Sequence, residues 1–160
     1  MNLDYLAFFL IAFVPLLLAV LWFKENSPIA PLTDYRPANR ARIGLPKLVF
    51  AFVLSVGFVY GYINLVIHQL GFYELFFTDI MFGDENAKTI VGNFLAEYGD
   101  KHRHFGHGVL HGVINCFLLP LPFLVLNVVV ENRSRSYFMH HFSYWLITSA
   151  LTGGLIGAFV

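Results

Sequence analysis

The stretch GHGVLHGVINCFLLPLPFLVLNVVV, residues 106–130, decides the fold of this chain. It contains no Asp, Glu, Lys or Arg, and it exceeds the roughly 20 apolar residues that a helix needs to cross a bilayer. Three further apolar stretches accompany it. The sequence therefore predicts an all-α membrane protein, with four transmembrane helices in a single domain over residues 1–160. The expected spans are about 3–23, 48–70, 106–130 and 137–160.

Composition agrees with this class. Hydrophobic residues make up 58% of the chain and charged residues only 12%, whereas soluble domains carry about 25% charged residues. A soluble fold of this length has too little interior for so much apolar surface, so lipid is the expected solvent. The formal net charge is zero, which gives no reason to expect a nucleic-acid partner.

The distribution of basic residues predicts the orientation. Most of the Lys and Arg residues fall in the first and third connections: Lys24, Arg36, Arg40, Arg42, Lys47, Arg133 and Arg135. The second connection holds Lys88, Lys101 and Arg103 among six acidic residues. Because basic connections stay in the cytoplasm, we expect a multi-pass protein of the bacterial inner membrane with both termini outside the cytoplasm.

The second connection contains a further helical pattern. Apolar residues recur at helical spacing from Ala87 to Tyr98, with charged residues on the other faces. A helix of this kind is typical of the membrane–water boundary. We therefore expect an interfacial helix in this outer connection.

Glycine pairs predict where the spans pack. Three of the spans contain GxxxG pairs: Gly57 and Gly61, Gly108 and Gly112, and Gly153 and Gly157. Glycines four residues apart form a flat stripe on a helix that lets a second backbone approach closely. We expect these pairs to pack helices within the bundle, although a partner subunit is an alternative for any one stripe. Pro120 and Pro122 should kink the third span.

Polar side chains within the spans are the candidates for chemistry, since each is costly in hydrocarbon unless it is paired. They form three stripes: Tyr60, Asn64 and His68; His104, His107, His111 and Asn115; and His140, Tyr144, Thr148 and Thr152. The second span ends at the face where the third begins, so we expect His68 to approach His107 or His111. His140 and His141 lie at the opposite face, where they resemble an aromatic interface belt.

Two interpretations of the outer histidines stay open. In one, His68, His107 and His111 bind a transition metal or haem, for which neutral imidazole is a common ligand. In the other they only hydrogen-bond between helices. We find no GxSxG elbow, phosphate-binding glycine loop, CxxC motif or pair of intramembrane carboxylates. No catalytic residues are therefore assigned, and enzymatic activity is not expected.

The second half of the chain resembles a known family. The segments from His107-Gly108-Val109-Leu110-His111-Gly112 through Leu121-Pro122 and Tyr144-Trp145 to Gly153-Gly154 look like the bacterial membrane proteins called domain of unknown function 1761, mainly over residues 105–158. The resemblance implies a four-helix inner-membrane protein with no assigned activity. It carries over no catalytic residue.

The function expected from these patterns is that of an accessory or assembly subunit. Such a protein packs against other membrane subunits, or against itself, and needs no cofactor. The alternative is a metal- or haem-binding membrane protein, active in transport or electron transfer, that uses the outer histidines. Colour or stoichiometric metal in the purified protein distinguishes the two.

The orientation is testable with single cysteines placed at Asn39 and Asn93 in a chain lacking Cys116. Because these positions are predicted to lie on opposite sides of the membrane, Asn93→Cys should react with an impermeant thiol reagent in intact cells. Asn39→Cys should react only after permeabilisation. The opposite labelling pattern would reverse the predicted orientation.

Overall fold

The computed structural model describes residues 4–24, 26–35 and 44–160, and within these ranges it is helical with no strand. The helices are α1 Tyr5–Ile11, α2 Val14–Phe23, α3 Ala30–Thr33, α4 Leu45–Val66, α5 His68–Leu75, α6 Phe77–Met81, α7 Glu85–Tyr98, α8 Phe105–Leu118, α9 Pro120–Val130 and α10 Arg135–Phe159.

Four helical segments are long and apolar enough to cross a membrane: Tyr5–Phe23, Leu45–Val66, Phe105–Val130 and Arg135–Phe159. The predicted all-α, four-span architecture is therefore confirmed. The second span lies a few residues earlier than expected, because α4 runs over Leu45–Val66 rather than over about 48–70. The orientation in the membrane stays a prediction.

Prolines interrupt two of these segments. Leu119, with φ −114° and ψ −73°, separates α8 from α9 directly before Pro120, so the predicted interruption of the third span is confirmed. The first span contains a break that the sequence analysis did not predict, between α1 and α2, with Pro15 in the first turn of α2. A proline has no N–H for the preceding helical turn, which explains both breaks.

Glycines set the contact between α8 and α10, which is the most extensive in the fold. A Cβ atom at Gly108 would overlap the carbonyl oxygen of Gly153, and one at Gly112 would overlap the carbonyl oxygen of Ser149. A Cβ at Gly157 would lie 3.1 Å from the Cα of Gly108. The two backbones thus touch at positions where no side chain fits, as the glycine spacing of both helices predicts.

The third glycine pair behaves differently. A Cβ at Gly57 or Gly61 would meet nothing within 4 Å. The expectation that this pair packs helices within the bundle is therefore wrong. The buried residues of α4, among them Val59, Tyr62 and Ile63, lie on another face of the helix, so the glycine stripe is turned outward.

Some polar groups inside the bundle are paired across helices, whereas side-chain atoms of Asn115, Thr148 and Thr152 are buried without a hydrogen-bond partner among the described residues. The Tyr62 hydroxyl donates a hydrogen bond to Ser149 Oγ at 2.8 Å, and the Tyr144 hydroxyl donates one to the Pro15 carbonyl at 2.9 Å. His140 is only 1% exposed. Its Nε2 donates to the Trp22 carbonyl at 3.0 Å. His140 is therefore an interior tie between the first and fourth spans, and its placement in an exposed interface belt is wrong.

The outer connection folds as α5, α6 and α7. The predicted helix is confirmed as α7, whose N-cap Asp84 accepts hydrogen bonds from the backbone of Asn86 and Ala87. Its apolar side packs back on α5, where the rings of Phe72 and Phe94 stack with centroids 4.0 Å apart. The position of this helix at the membrane boundary stays a prediction.

The glycine contact predicts an asymmetric response to alanine. Gly112→Ala forces a methyl group into the Ser149 carbonyl, and such overpacking costs about 1–3 kcal/mol of unfolding free energy. Gly61→Ala is the matched control, since its Cβ meets open space and alanine favours helix over glycine by about 1 kcal/mol. Thermal unfolding in one detergent should show Gly112→Ala destabilised and Gly61→Ala unchanged or stabilised. Equal effects would mean that the α8–α10 contact is not tight.

Candidate metal centre

A break in the chain positions the first histidine of the site. α4 ends at Val66, and α5 begins at His68. Between them Ile67, with φ −98° and ψ 88°, is 1% exposed and anchors the turn in the core. Because the helix is interrupted there, His68 no longer continues the stripe of Asn64.

The other two histidines lie on a rigid helix. His107 and His111 are four residues apart in α8, so their side chains lie on one face, one turn apart. The neighbouring glycines, Gly108 and Gly112, fix the same helix against α10. The two imidazoles are therefore carried by a helix whose backbone is in direct contact with that of α10.

The three imidazoles converge as the sequence predicts. Nε2 of His68 lies 3.1 Å from Nε2 of His111 and 3.4 Å from Nε2 of His107. One nitrogen from each residue lies within 4.8 Å of the others. His68 is exposed, and His107 and His111 are half-buried. The predicted approach of His68 to the third span is confirmed.

Imidazole chemistry explains what such an arrangement favours. A ring nitrogen carries either a proton or a lone pair, and an N–H bond points in one direction. A proton on His68 Nε2 can therefore make a well-aligned hydrogen bond to only one of its two neighbours, His111 Nε2 or His107 Nε2. A cation placed between the rings accepts a lone pair from all three nitrogens. The convergence can therefore hold a metal ion, and it also allows a hydrogen bond between two of the rings.

The remaining residues of the predicted stripes do not join these three. His104 precedes α8, and its Nδ1 accepts a hydrogen bond from the His107 backbone as the helix N-cap. Asn64 is exposed and donates to the Tyr60 carbonyl of its own helix at 3.4 Å. The two predicted stripes that contain His68 and His104 are therefore shorter than four-residue spacing suggests. His68 is the first residue of α5 and His104 precedes α8, so neither continues the face of the helix to which it was assigned.

Two residues that the sequence analysis did not assign support the centre. The first is Gln69, which is 7% exposed and whose Nε2 donates to the Gly99 carbonyl at 2.6 Å. The same nitrogen lies 3.4 Å from the Lys101 carbonyl. The second is His102, whose ring stacks on that of His107 with centroids 5.1 Å apart. Both hold the connection between α7 and α8 close to the site. The signal for Gln69 in the sequence is a polar residue directly after a candidate metal-binding histidine.

Comparison of the chain with protein-family models, with curated proteins and with solved structures finds no match in any of the three. The resemblance to the domain of unknown function 1761 family accordingly stays a prediction. Any functional conclusion rests on the geometry of the chain itself.

The Gln69 contact predicts a local loss of order when the amide is removed. Gln69→Leu leaves the Gly99 carbonyl without this donor, and an unsatisfied buried acceptor costs about 1–3 kcal/mol. Amide hydrogen exchange over residues 99–104 should become faster, while exchange in α10 stays slow. Asn64→Leu, which removes an exposed amide, is the control. Unchanged exchange in Gln69→Leu would show that other contacts hold this connection.

Proposed function

We propose that the protein binds a divalent transition-metal ion through His68, His107 and His111. The sequence analysis gave metal binding as the alternative to an accessory role. The observation that carries it is the convergence of one ring nitrogen from each of three imidazoles on two separate elements.

The spacing of the nitrogens supports a tetrahedral ion. Zinc–nitrogen bonds of about 2.0–2.1 Å, at the tetrahedral angle, place two ligand nitrogens about 3.3–3.4 Å apart. The two distances from His68 Nε2 are 3.1 and 3.4 Å. The rings therefore need little movement to share one ion.

The donor set limits the kind of metal. The group contains imidazole nitrogens and no carboxylate or thiolate among the described residues. Imidazole suits Zn²⁺, Cu²⁺, Ni²⁺ and Co²⁺, whereas Mg²⁺ and Ca²⁺ prefer oxygen ligands. We therefore propose a late first-row transition ion rather than a hard cation.

The same spacing favours an ion over haem. Two axial ligands of a haem iron lie on opposite sides of the macrocycle, so their nitrogens are separated by two metal–ligand bonds, about 4 Å in total. The separations from His68 Nε2 are shorter, and a third imidazole converges on the same point. A porphyrin plane has no room between these rings.

The location of the site suggests what it does with the ion. His68 follows the span Leu45–Val66, and His107 is the third residue of the span Phe105–Val130. The site therefore lies at one end of both spans. Tyr62 and Ser149 are hydrogen-bonded to each other deeper in the bundle, whereas buried polar atoms of Asn115, Thr148 and Thr152 have no hydrogen-bond partner among the described residues. Conduction needs a series of sites across the bilayer, and the described residues contain no second group of three metal-binding side chains below the first. We accordingly propose capture or retention of the ion at the membrane boundary.

An accessory role stays a second proposal, and the outward glycine stripe favours it. A Cβ at Gly57 or Gly61 would meet no atom of the described residues within 4 Å, and helix faces of this kind are typical of association in membranes. The two proposals are compatible, since the metal centre lies at another surface, formed by α5 and α8.

Metal content is the direct test. The protein, purified in mild detergent and dialysed against Zn²⁺, should hold one ion per chain by elemental analysis. His111→Ala should lower the affinity, measured by competition with a chelator, by at least about tenfold, since even partners outside the ligand shell contribute 10- to 100-fold.

His141→Phe is the matched control, because it removes a histidine at the other end of the bundle and keeps an aromatic ring against Tyr137. Its affinity should equal that of the wild type. Absence of stoichiometric metal in the folded wild-type protein would refute the metal proposal and leave the accessory role.

A further inference from the structure

The three histidines leave a tetrahedral ion one ligand short. With a fourth protein ligand, a zinc-type site is closed and holds its ion, whereas with three it keeps an open position for water or substrate. The identity of the fourth ligand therefore decides what the proposed site is for. This question rests on the proposed function, because it arises only if an ion binds.

His102 lies as close to His107 as the other two histidines of the group do. Its ring centroid is 5.1 Å from that of His107. The corresponding distances from His107 are 5.4 Å to His68 and 4.5 Å to His111. Besides His68 and His111, which belong to the converging group, His107 thus has two further histidine rings near it, His102 and His104.

The ring of His102 is available as a metal ligand. It is exposed, and it makes no hydrogen bond to any residue in the described ranges. Its present contact is the stack on His107, with an interplanar angle of 25°. To bind the ion the ring has to leave this stack, and no hydrogen bond of the ring to a described residue has to break.

The backbone holds His102 at this place from both sides. Gln69, next to the ligand His68, binds the carbonyl of Gly99 and lies 3.4 Å from that of Lys101. On the other side, the His102 carbonyl accepts a hydrogen bond from the backbone of His104 at 3.0 Å. His102 has a φ of +69°, an uncommon conformation outside glycine, which turns the chain sharply before α8.

His104 is the other candidate for the fourth ligand, but its ring already caps the start of α8. Its Nδ1 accepts the backbone N–H of His107 at 3.2 Å, which caps the first turn of α8. Turning this ring toward an ion would break the cap. Its centroid is also farther from His107, at 5.9 Å.

We infer that His102 is the fourth ligand, so that the ion is enclosed by four imidazoles in a closed site. The site then retains its ion at the membrane boundary, and exogenous ligands have no open position on the metal. A three-histidine site with bound water would instead admit small anions.

Azide binding to the Co²⁺-loaded protein distinguishes the closed four-histidine site from the open three-histidine site. Co²⁺ reports its coordination through visible absorption, and azide binds only where a position is open. The full-length wild-type protein should show a Co²⁺ spectrum that azide does not change. His102→Asn should bind Co²⁺ at least about tenfold more weakly, and azide should change its spectrum. Asparagine is chosen because it tolerates positive φ.

His104→Asn is the matched control, since asparagine is a good N-cap and keeps the start of α8. Its spectrum and its azide response should equal those of the wild type. A wild-type spectrum that shifts with azide would overturn the inference and leave the three-histidine site standing. A wild-type protein that binds no Co²⁺ would refute both the inference and the proposed function. Should His102→Asn fail to fold, the wild-type response alone decides.

Discussion

The carbonyl oxygen of Gly153 occupies the place where a side chain at residue 108 would lie, and the Ser149 carbonyl does the same at residue 112. In a bilayer, where lipid tails are as apolar as the side chains, close backbone contact of this kind is a main source of helix association. The position of α8 is thus fixed by backbone rather than by adaptable side chains. Whatever α8 carries on its other faces is held equally firmly.

The histidine site depends on that rigidity. His107 and His111 follow α8 wherever α10 places it, and they lie beside the two glycines that make the contact. His68 arrives from a different direction, at a break in the chain whose turn is fixed by the buried Ile67. A metal site needs its ligands held in place before the ion arrives. Here one side is set by helix packing and the other by a core residue, so preorganisation does not depend on the histidines.

Much of this arrangement is accessible from the sequence, because it follows from spacing within single helices. Apolar length gives the spans, and four-residue spacing gives both the glycine contact and the pairing of His107 with His111. The approach of His68 follows from the shared end of two consecutive spans. Each of these arguments needs only the residue spacing within one helix and the fact that consecutive spans run in opposite directions across the membrane.

The misplaced residues lie where that periodicity stops. His68 and His104 each lie at a helix start, so counting in fours assigned them to faces that they do not occupy. Gly57 and Gly61 have the correct spacing but face away from the core, and spacing alone does not specify which face of a helix is buried. His140 depends on contacts to Trp22 and Thr33 in a distant part of the chain. Long-range pairing of this kind leaves no local pattern.

The Gln69 hydrogen bonds connect the histidine site to the outer segment formed by α5, α6 and α7. The chain from α5 to α7 leaves the bundle at the short turn at Ile67, and the Gln69 hydrogen bonds join its start to the connection after α7. The histidines lie at this same junction, with His68 at its start and His102 at its end. An ion that joined them would bind the two ends of the outer segment to α8. Occupancy would therefore stabilise the folded chain, including the attachment of the outer segment to α8, to an extent set by the binding free energy. The ion itself would lie at the surface of the bundle, where a partner or a ligand would meet it.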